Sequence, residues 1–253
     1  MKKKNESREQ LNIQLFLLCM LAALLCRRLG KISSLRIICG MLRTMIYVGV
    51  YIGWGISIYK RVIQKSVRNV LIFIAELIIF WFVVRTTKYF FTMDNQIARY
   101  LWYSYYIPML FIPVAVLQAA FFLGKSEEYR LPKWLKGVYI PTAVLVLLVL
   151  SNDLHQLVFS FPVGSAWSDS HYTYGWGYYV VLVWEVVCAL TAFVLMIYKC
   201  RHSQKKKYLP LFGIGAAVLY AVLFISGVAW VQEIGGDITA VLCLFFVGIL
   251  ESC

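Results

Sequence analysis

Residues 151–176 contain no lysine and no arginine, in a chain that carries 25 of them. In so apolar a sequence, a loop without positive charge is the one turned away from the cytoplasm. Charge is scarce overall: 15% of residues are charged, and 12 acidic residues face those 25 basic ones. The cysteines are also uninformative as a set. None of the 7 forms a C-x-x-C pair and none lies in 151–176, so a disulfide framework is not expected. The chain has no G-x-S-x-G and no H-E-x-x-H, and Glu127-Glu128 has no metal or nucleophile partner nearby in sequence. An enzyme is therefore not expected, and no cofactor is implied.

What is present is hydrocarbon. The chain is 61% hydrophobic and 16% aromatic. A soluble domain would not tolerate that apolar surface. The apolar runs are long enough for helices rather than barrel strands. They are predicted over about 44–59 (starting nearer Leu35 if extended), 69–84, 99–123, 134–150, 175–198, 208–231 and 237–253. The reading is an all-α integral membrane protein with a seven-helix bundle. Leu131-Pro132 and Gly235-Gly236-Asp237 open the helices that follow them. Pro108, Pro113 and Pro141 fall inside spans, where proline kinks rather than stops a helix.

The net charge of +13 sits in the gaps between runs, which speaks for topology and lipid headgroups rather than nucleic acid. Lys60, Arg61, Lys65 and Arg68 mark one gap. Lys125, Arg130, Lys133 and Lys136 mark a second, and Lys199, Arg201 and Lys205 to Lys207 a third. Alternation places these gaps and the C-terminus in the cytoplasm, with 151–176 outside the cell membrane. Arg85, Lys88 and Arg99 make one outer gap mildly positive, a small violation of the same rule.

Residues 1–34 are read as a basic N-terminus with its own short apolar helix, and 35–253 as the seven-helix bundle, its last helix truncated. Leu11 to Cys26 is apolar and flanked by Lys2-Lys3-Lys4 and Arg27-Arg28. It forms either an eighth span or a helix lying in the interface; no small-x-small cleavage site follows it. At the other end, Ile238 to Cys253 reaches about 24 Å as a helix, short of a ~30 Å hydrocarbon core. The last helix reads as unfinished, so the chain is expected to be the front part of a longer design.

Three stretches carry a resemblance: RYLWYSYYIPMLFIP (99–113), GKSEEYRLPKWLKGVYIPTAVLVLLVLSNDLHQLVF (124–159) and DITAVLCLFFVGILESC (237–253). They resemble the N-terminal seven-transmembrane region of bacterial sensor histidine kinases, over about Thr44 to Cys253. Asn152-Asp153-Leu154-His155 is the most specific part. The resemblance implies an N-terminus outside, a C-terminus inside, and a last helix leading to a cytoplasmic kinase or other output module in cis or trans. The phosphoacceptor and ATP-binding domains do not fall within these residues, so only the sensing half is carried over. The alternative is a small transporter or channel subunit. Against it, there is no internal repeat and no pair of broken segments with polar midplane residues.

The candidate sensing residues follow. Asn152, Asp153 and His155 close one span at the outer end. Glu76 and Glu185 are intramembrane carboxyls, which usually face a bundle interior or cavity. Trp102, Tyr105 and Trp176, with neighbouring tyrosines, form either an interfacial aromatic belt or the wall of an outward pocket for an unknown small ligand. Asp153-x-His155 and Asp169-x-His171 repeat a pattern, but the spacing matches no recognised metal site, and none is assigned. Gly49 and Gly53 form a GxxxG that serves either helix packing or a homodimer.

Overall fold

The computed structural model describes residues 2–90, 95–126, 129–162, 172–200, 209–226 and 228–231, and beyond them 238, 239, 241, 242 and 245. Ten α-helices, a 3-10 turn at Ser33–Leu35 and one short strand pair occur among the described residues. They are α1 (Lys2–Leu29), α2 (Arg36–Arg61), α3 (Lys65–Phe90), α4 (Asn95–Tyr103), α5 (Tyr106–Phe122), α6 (Lys133–Gly137), α7 (Tyr139–Leu150), α8 (Asn152–His155), β1 (Phe159–Ser160), β2 (Thr173–Tyr174), α9 (Trp176–Cys200) and α10 (Leu209–Ile225). Among the described residues, five stretches are long and apolar enough to cross a membrane: Arg36–Arg61, Lys65–Lys88, Gln96–Phe122, Lys133–Leu150 and Trp176–Lys199. α10 is a shorter apolar helix. The protein is an all-α, multi-pass membrane bundle.

Proline chemistry accounts for two breaks inside these spans. Proline lacks the N–H that would bond the carbonyl four residues back. Pro108 therefore leaves Ser104 without its usual partner, and α4 gives way to α5 across Ser104–Tyr105, where Ile107 N–H reaches Ser104 O instead at 3.2 Å. Pro141 acts likewise on Gly137, where α6 ends and α7 restarts at Tyr139. Thr142 Oγ1 then donates to Val138 O at 2.8 Å, satisfying one carbonyl at the joint. Each break falls within one apolar stretch, Gln96–Phe122 or Lys133–Leu150, whereas Pro113 lies inside α5 without ending it.

α5 packs against α3, α7 and α9, while α2 packs against α3 and α1. The main core joins α2, α3 and α5 with Met196 of α9 and Ala23 of α1. Tyr47 and Phe82 stack there with ring centres 4.8 Å apart. Thr44 of α2 is hydrogen-bonded to Thr86 of α3 through the two hydroxyls. A second core at the other end joins α4, α5, α7 and α9 around Phe159 of the loop between spans. Lys199 Nζ donates to Ala120 O at 2.9 Å and Phe121 O at 2.7 Å. It thereby caps the carbonyl end of α5 from α9.

The N-terminal apolar run is part of a continuous helix, α1, which lies against α2. Several helices are longer than their apolar runs suggested, because the polar and basic flanks stay helical: α3 runs Lys65–Phe90 against the predicted 69–84. The C-terminal run, including Asp237 and Cys253, falls almost wholly outside the described residues.

Candidate functional site

The NDLH sequence at the end of α7 builds its own one-turn helix. Ser151 closes α7, its Oγ donating back to Leu147 O at 2.8 Å. Gln156 ends α8 in the left-handed region, φ 50°, and its N–H returns to Asn152 O at 2.7 Å. A non-glycine residue there costs on the order of 1 kcal/mol, so neighbouring contacts must hold the turn. His155 supplies one: its Nδ1 accepts the Leu157 N–H at 3.0 Å. The ring proton is thereby assigned to Nε2, which faces Leu148 O at 3.1 Å and Ser151 Oγ at 3.2 Å.

Asn152 is fully buried. Its Oδ1 accepts the backbone N–H groups of Val158 and Phe159, both at 3.0 Å. Its Nδ2 donates to Phe159 O at 2.8 Å and to the Tyr103 hydroxyl at 3.1 Å. One side chain thus fastens β1 and α4 to the end of α7. Asp153 faces α4 as well. It accepts the Tyr103 hydroxyl at 2.7 Å and pairs with Arg99 at 2.7 Å, both charged side chains being about one-fifth exposed. Such a mostly buried, hydrogen-bonded pair is strongly geometry-dependent, and removal of one partner strands the other.

Phe159 is the hub of the aromatic cluster and has no exposed surface. Trp102 lies 4.6 Å away, Tyr172 5.5 Å and Tyr106 5.6 Å, ring centre to ring centre. The returning strand must come very close to seat it. Gly175 N–H bonds Val158 O at 2.9 Å, and a Cβ at Gly175 would stand 2.1 Å from Leu157 O. Only glycine fits that approach.

Of the residues singled out in the sequence, Asn152, Asp153 and Trp102 come together here. His155 lies within the same turn, with both ring nitrogens committed to local groups. Tyr105 stands apart, beside the Lys88 ammonium at 5.9 Å from its ring centre. Trp176 is 61% exposed, as suits an interfacial aromatic. Glu185 is mostly buried on α9, and its Oε2 has no hydrogen-bond partner among the described residues. Glu76, by contrast, is exposed on α3 and does not face the bundle interior. Gly49 and Gly53 are exposed, and no described atom lies near where their Cβ atoms would stand, so the GxxxG packs against no other described helix. Trp167, Asp169 and His171 lie outside the described residues, and among the described ones no three His, Cys, Asp or Glu gather as metal ligands.

Sequence reasoning did not single out Arg99, Phe159 or Gly175. A signal for Arg99 existed. It was one of the basic residues that broke the charge rule on an outer gap, and a misplaced cation is one that needs a partner. The Asp153 carboxylate is that partner.

A family model described as the N-terminal 7TM region of histidine kinase matches residues 37–250. The match begins just inside α2 and leaves α1 outside it. No curated protein and no solved structure matches the chain.

Proposed function

We propose how sensing works on the premise that the chain belongs to the family of N-terminal 7TM regions of histidine kinases. In this reading the Arg99–Asp153–Tyr103–Asn152 cluster is a clasp at the extracytoplasmic end of the bundle. An envelope signal changes how tightly the clasp closes, and the change is relayed through the last helix, 237–253, to a cytoplasmic kinase or other output in cis or trans. The orientation follows the charge count: 151–176 outside, 205–207 inside, in the cell membrane. Residues 1–34 form an added N-terminal element beside the sensor bundle of 35–253.

The observation that carries the proposal is the reach of Asn152 and Asp153. Together they hold α4, the end of α7 and the β1 segment in one arrangement. α4 leads directly into α5, and α5 packs along α9. A rearranged clasp therefore moves elements that run through the bundle, which is how two helix packings are biased by a local contact. Trp102, Tyr105 and Trp176 offer aromatic surface for a small ligand. Glu185, with one unpartnered buried oxygen, offers a polar contact deeper in the span. The 151–176 loop has no cation, and Arg99 is already paired, so a neutral ligand fits better than an anion.

The test fuses the bundle to a kinase output with a transcriptional reporter. Asp153→Asn, His155→Gln and Glu185→Gln are compared for membrane level and for signalling across candidate envelope ligands. Altered signalling at normal membrane level in Asp153→Asn or Glu185→Gln is the expected result. Normal signalling in all three, or loss of all three from the membrane, overturns the sensing role.

A further inference from the structure

The break ahead of Pro141 lies beside a feature of the lipid-facing side of the bundle, and Pro141 itself lines it. α7 and α9 do not close against each other along their length. Between them lies a groove of about 700 Å³, lined by apolar side chains that include Ile140, Val144, Val183, Trp184 and Val187. At its floor, Trp184 Nε1 donates to Thr142 Oγ1 at 3.1 Å, and Thr142 is fully buried. The side chains on its rims are open: Ile140 is 69% exposed, Val144 59%, Val183 61% and Val187 51%. The groove lies within two membrane-crossing stretches, Lys133–Leu150 and Trp176–Lys199, so its surroundings are lipid rather than water.

The charge near its end is specific. Lys136 lies in the last turn of α6 and Ile140 and Val144 lie in α7, but Val138 at the joint keeps helical dihedrals (φ −61°, ψ −25°), so the four-residue spacing leaves the three near one face. Helical rise sets Lys136 about 6 Å beyond Ile140 and about 12 Å beyond Val144. Lys133 and Lys136 are both exposed, and Trp134 between them is 63% exposed, its ring edge-on to Phe121 at 5.7 Å. An apolar slot therefore runs toward a pair of ammonium groups at the membrane interface.

We infer that this groove holds one acyl chain of an anionic phospholipid, from the leaflet that Lys133 faces, with the headgroup phosphate between Lys133 and Lys136. The lining disfavours a polar occupant: apart from the Tyr179 hydroxyl and the Trp184 N–H, which is already bonded to Thr142, it is hydrocarbon. A second copy of the chain fits less well. Two copies inserted in parallel and facing each other across this groove would bring their Lys133 and Lys136 ends together, and like charges at an interface repel. A lipid brings the opposite charge and the apolar chain in one molecule.

Native mass spectrometry of the full chain, released from nanodiscs containing phosphatidylcholine and phosphatidylglycerol, tests the inference. The wild type retains phosphatidylglycerol over phosphatidylcholine by about fivefold per lysine. Lys133→Gln with Lys136→Gln erases that preference while neutral lipid is still retained. Val144→Trp or Val183→Trp fills the groove and removes retained lipid of both kinds. Leu147→Trp adds the same bulk at a position 63% exposed and outside the groove lining, and leaves retention intact. Lys133 and Lys136 are exposed, so the glutamine variant reads the headgroup contact even where a tryptophan variant misfolds. An unchanged preference in the glutamine variant overturns the inference. So does retained lipid in Val144→Trp and Val183→Trp equal to that in Leu147→Trp. A dimer in the wild type that dissociates in the tryptophan variants assigns the groove to a second copy instead.

Discussion

Asn152 does more work than any other polar side chain described, because it makes four hydrogen bonds from a fully buried position. Removing it leaves two N–H groups and a carbonyl of the 158–159 segment without partners, and unsatisfied buried groups cost more than a hydrogen bond gains. Asn152→Ala is expected to lower stability by about 3 kcal/mol. A fall in thermal midpoint in detergent, with faster proteolysis between β1 and β2, checks this. The Arg99–Asp153 pair is a different case. Each single substitution strands a charge, whereas the double substitution removes both. Arg99→Gln with Asp153→Asn is expected to be less damaging than the sum of the singles, with a coupling of about 1–3 kcal/mol. A double-mutant cycle on thermal or denaturant unfolding measures it, and strict additivity would show that the pair contributes nothing.

Among the elements, the joints carry more information than the rods. α4–α5 and α6–α7 each form one span with a break just ahead of a proline. The first sets α4 against α7, where Arg99 and Tyr103 meet Asp153. The second lies next to the groove lined by Pro141 and Trp184. The α5–α9 contact is locked at the other end by Lys199, which donates to two carbonyls at the terminus of α5. A cation at a helix C-terminus is favoured both by hydrogen bonding and by the helix dipole. Lys199→Met is expected to cost about 1–2 kcal/mol, and Lys199→Arg clearly less, since the guanidinium keeps charge and donors. Comparison of their melting temperatures in one detergent checks the order. Equal loss in both would place the effect in packing rather than in the capping bonds.

The molecule as a whole is a helical membrane bundle whose best-connected polar cluster lies at one end, next to a loop without cations. The charge rule predicts that this end faces outward. Cysteine-accessibility labelling in a background without the 7 native cysteines tests the orientation directly. Ser165→Cys is expected to react with an impermeant reagent added outside, and Ser203→Cys to react only after the membrane is opened. The reverse pattern would invert the bundle and move the clasp to the cytoplasmic face.

Fold class and family were legible in the residues alone. Hydrophobic length and the placement of proline depend on local composition, and a helix in lipid must satisfy its own backbone, so long apolar runs leave few alternatives. The family match over 37–250 and the five long apolar helices agree with that reading. The NDLH stretch could be singled out in the sequence, but its contacts could not. Nothing in the spacing of Arg99, Tyr103, Asn152 and Phe159 says that they touch, because they meet across two turns and a loop. Tertiary packing alone decided that His155 bonds its own turn, that Glu76 faces outward while Glu185 is mostly buried, and that the Gly49–Gly53 face is left open. Each depends on which way a helix is rotated against its neighbours, and in a chain apolar on nearly every face the sequence pattern carries little of that rotation.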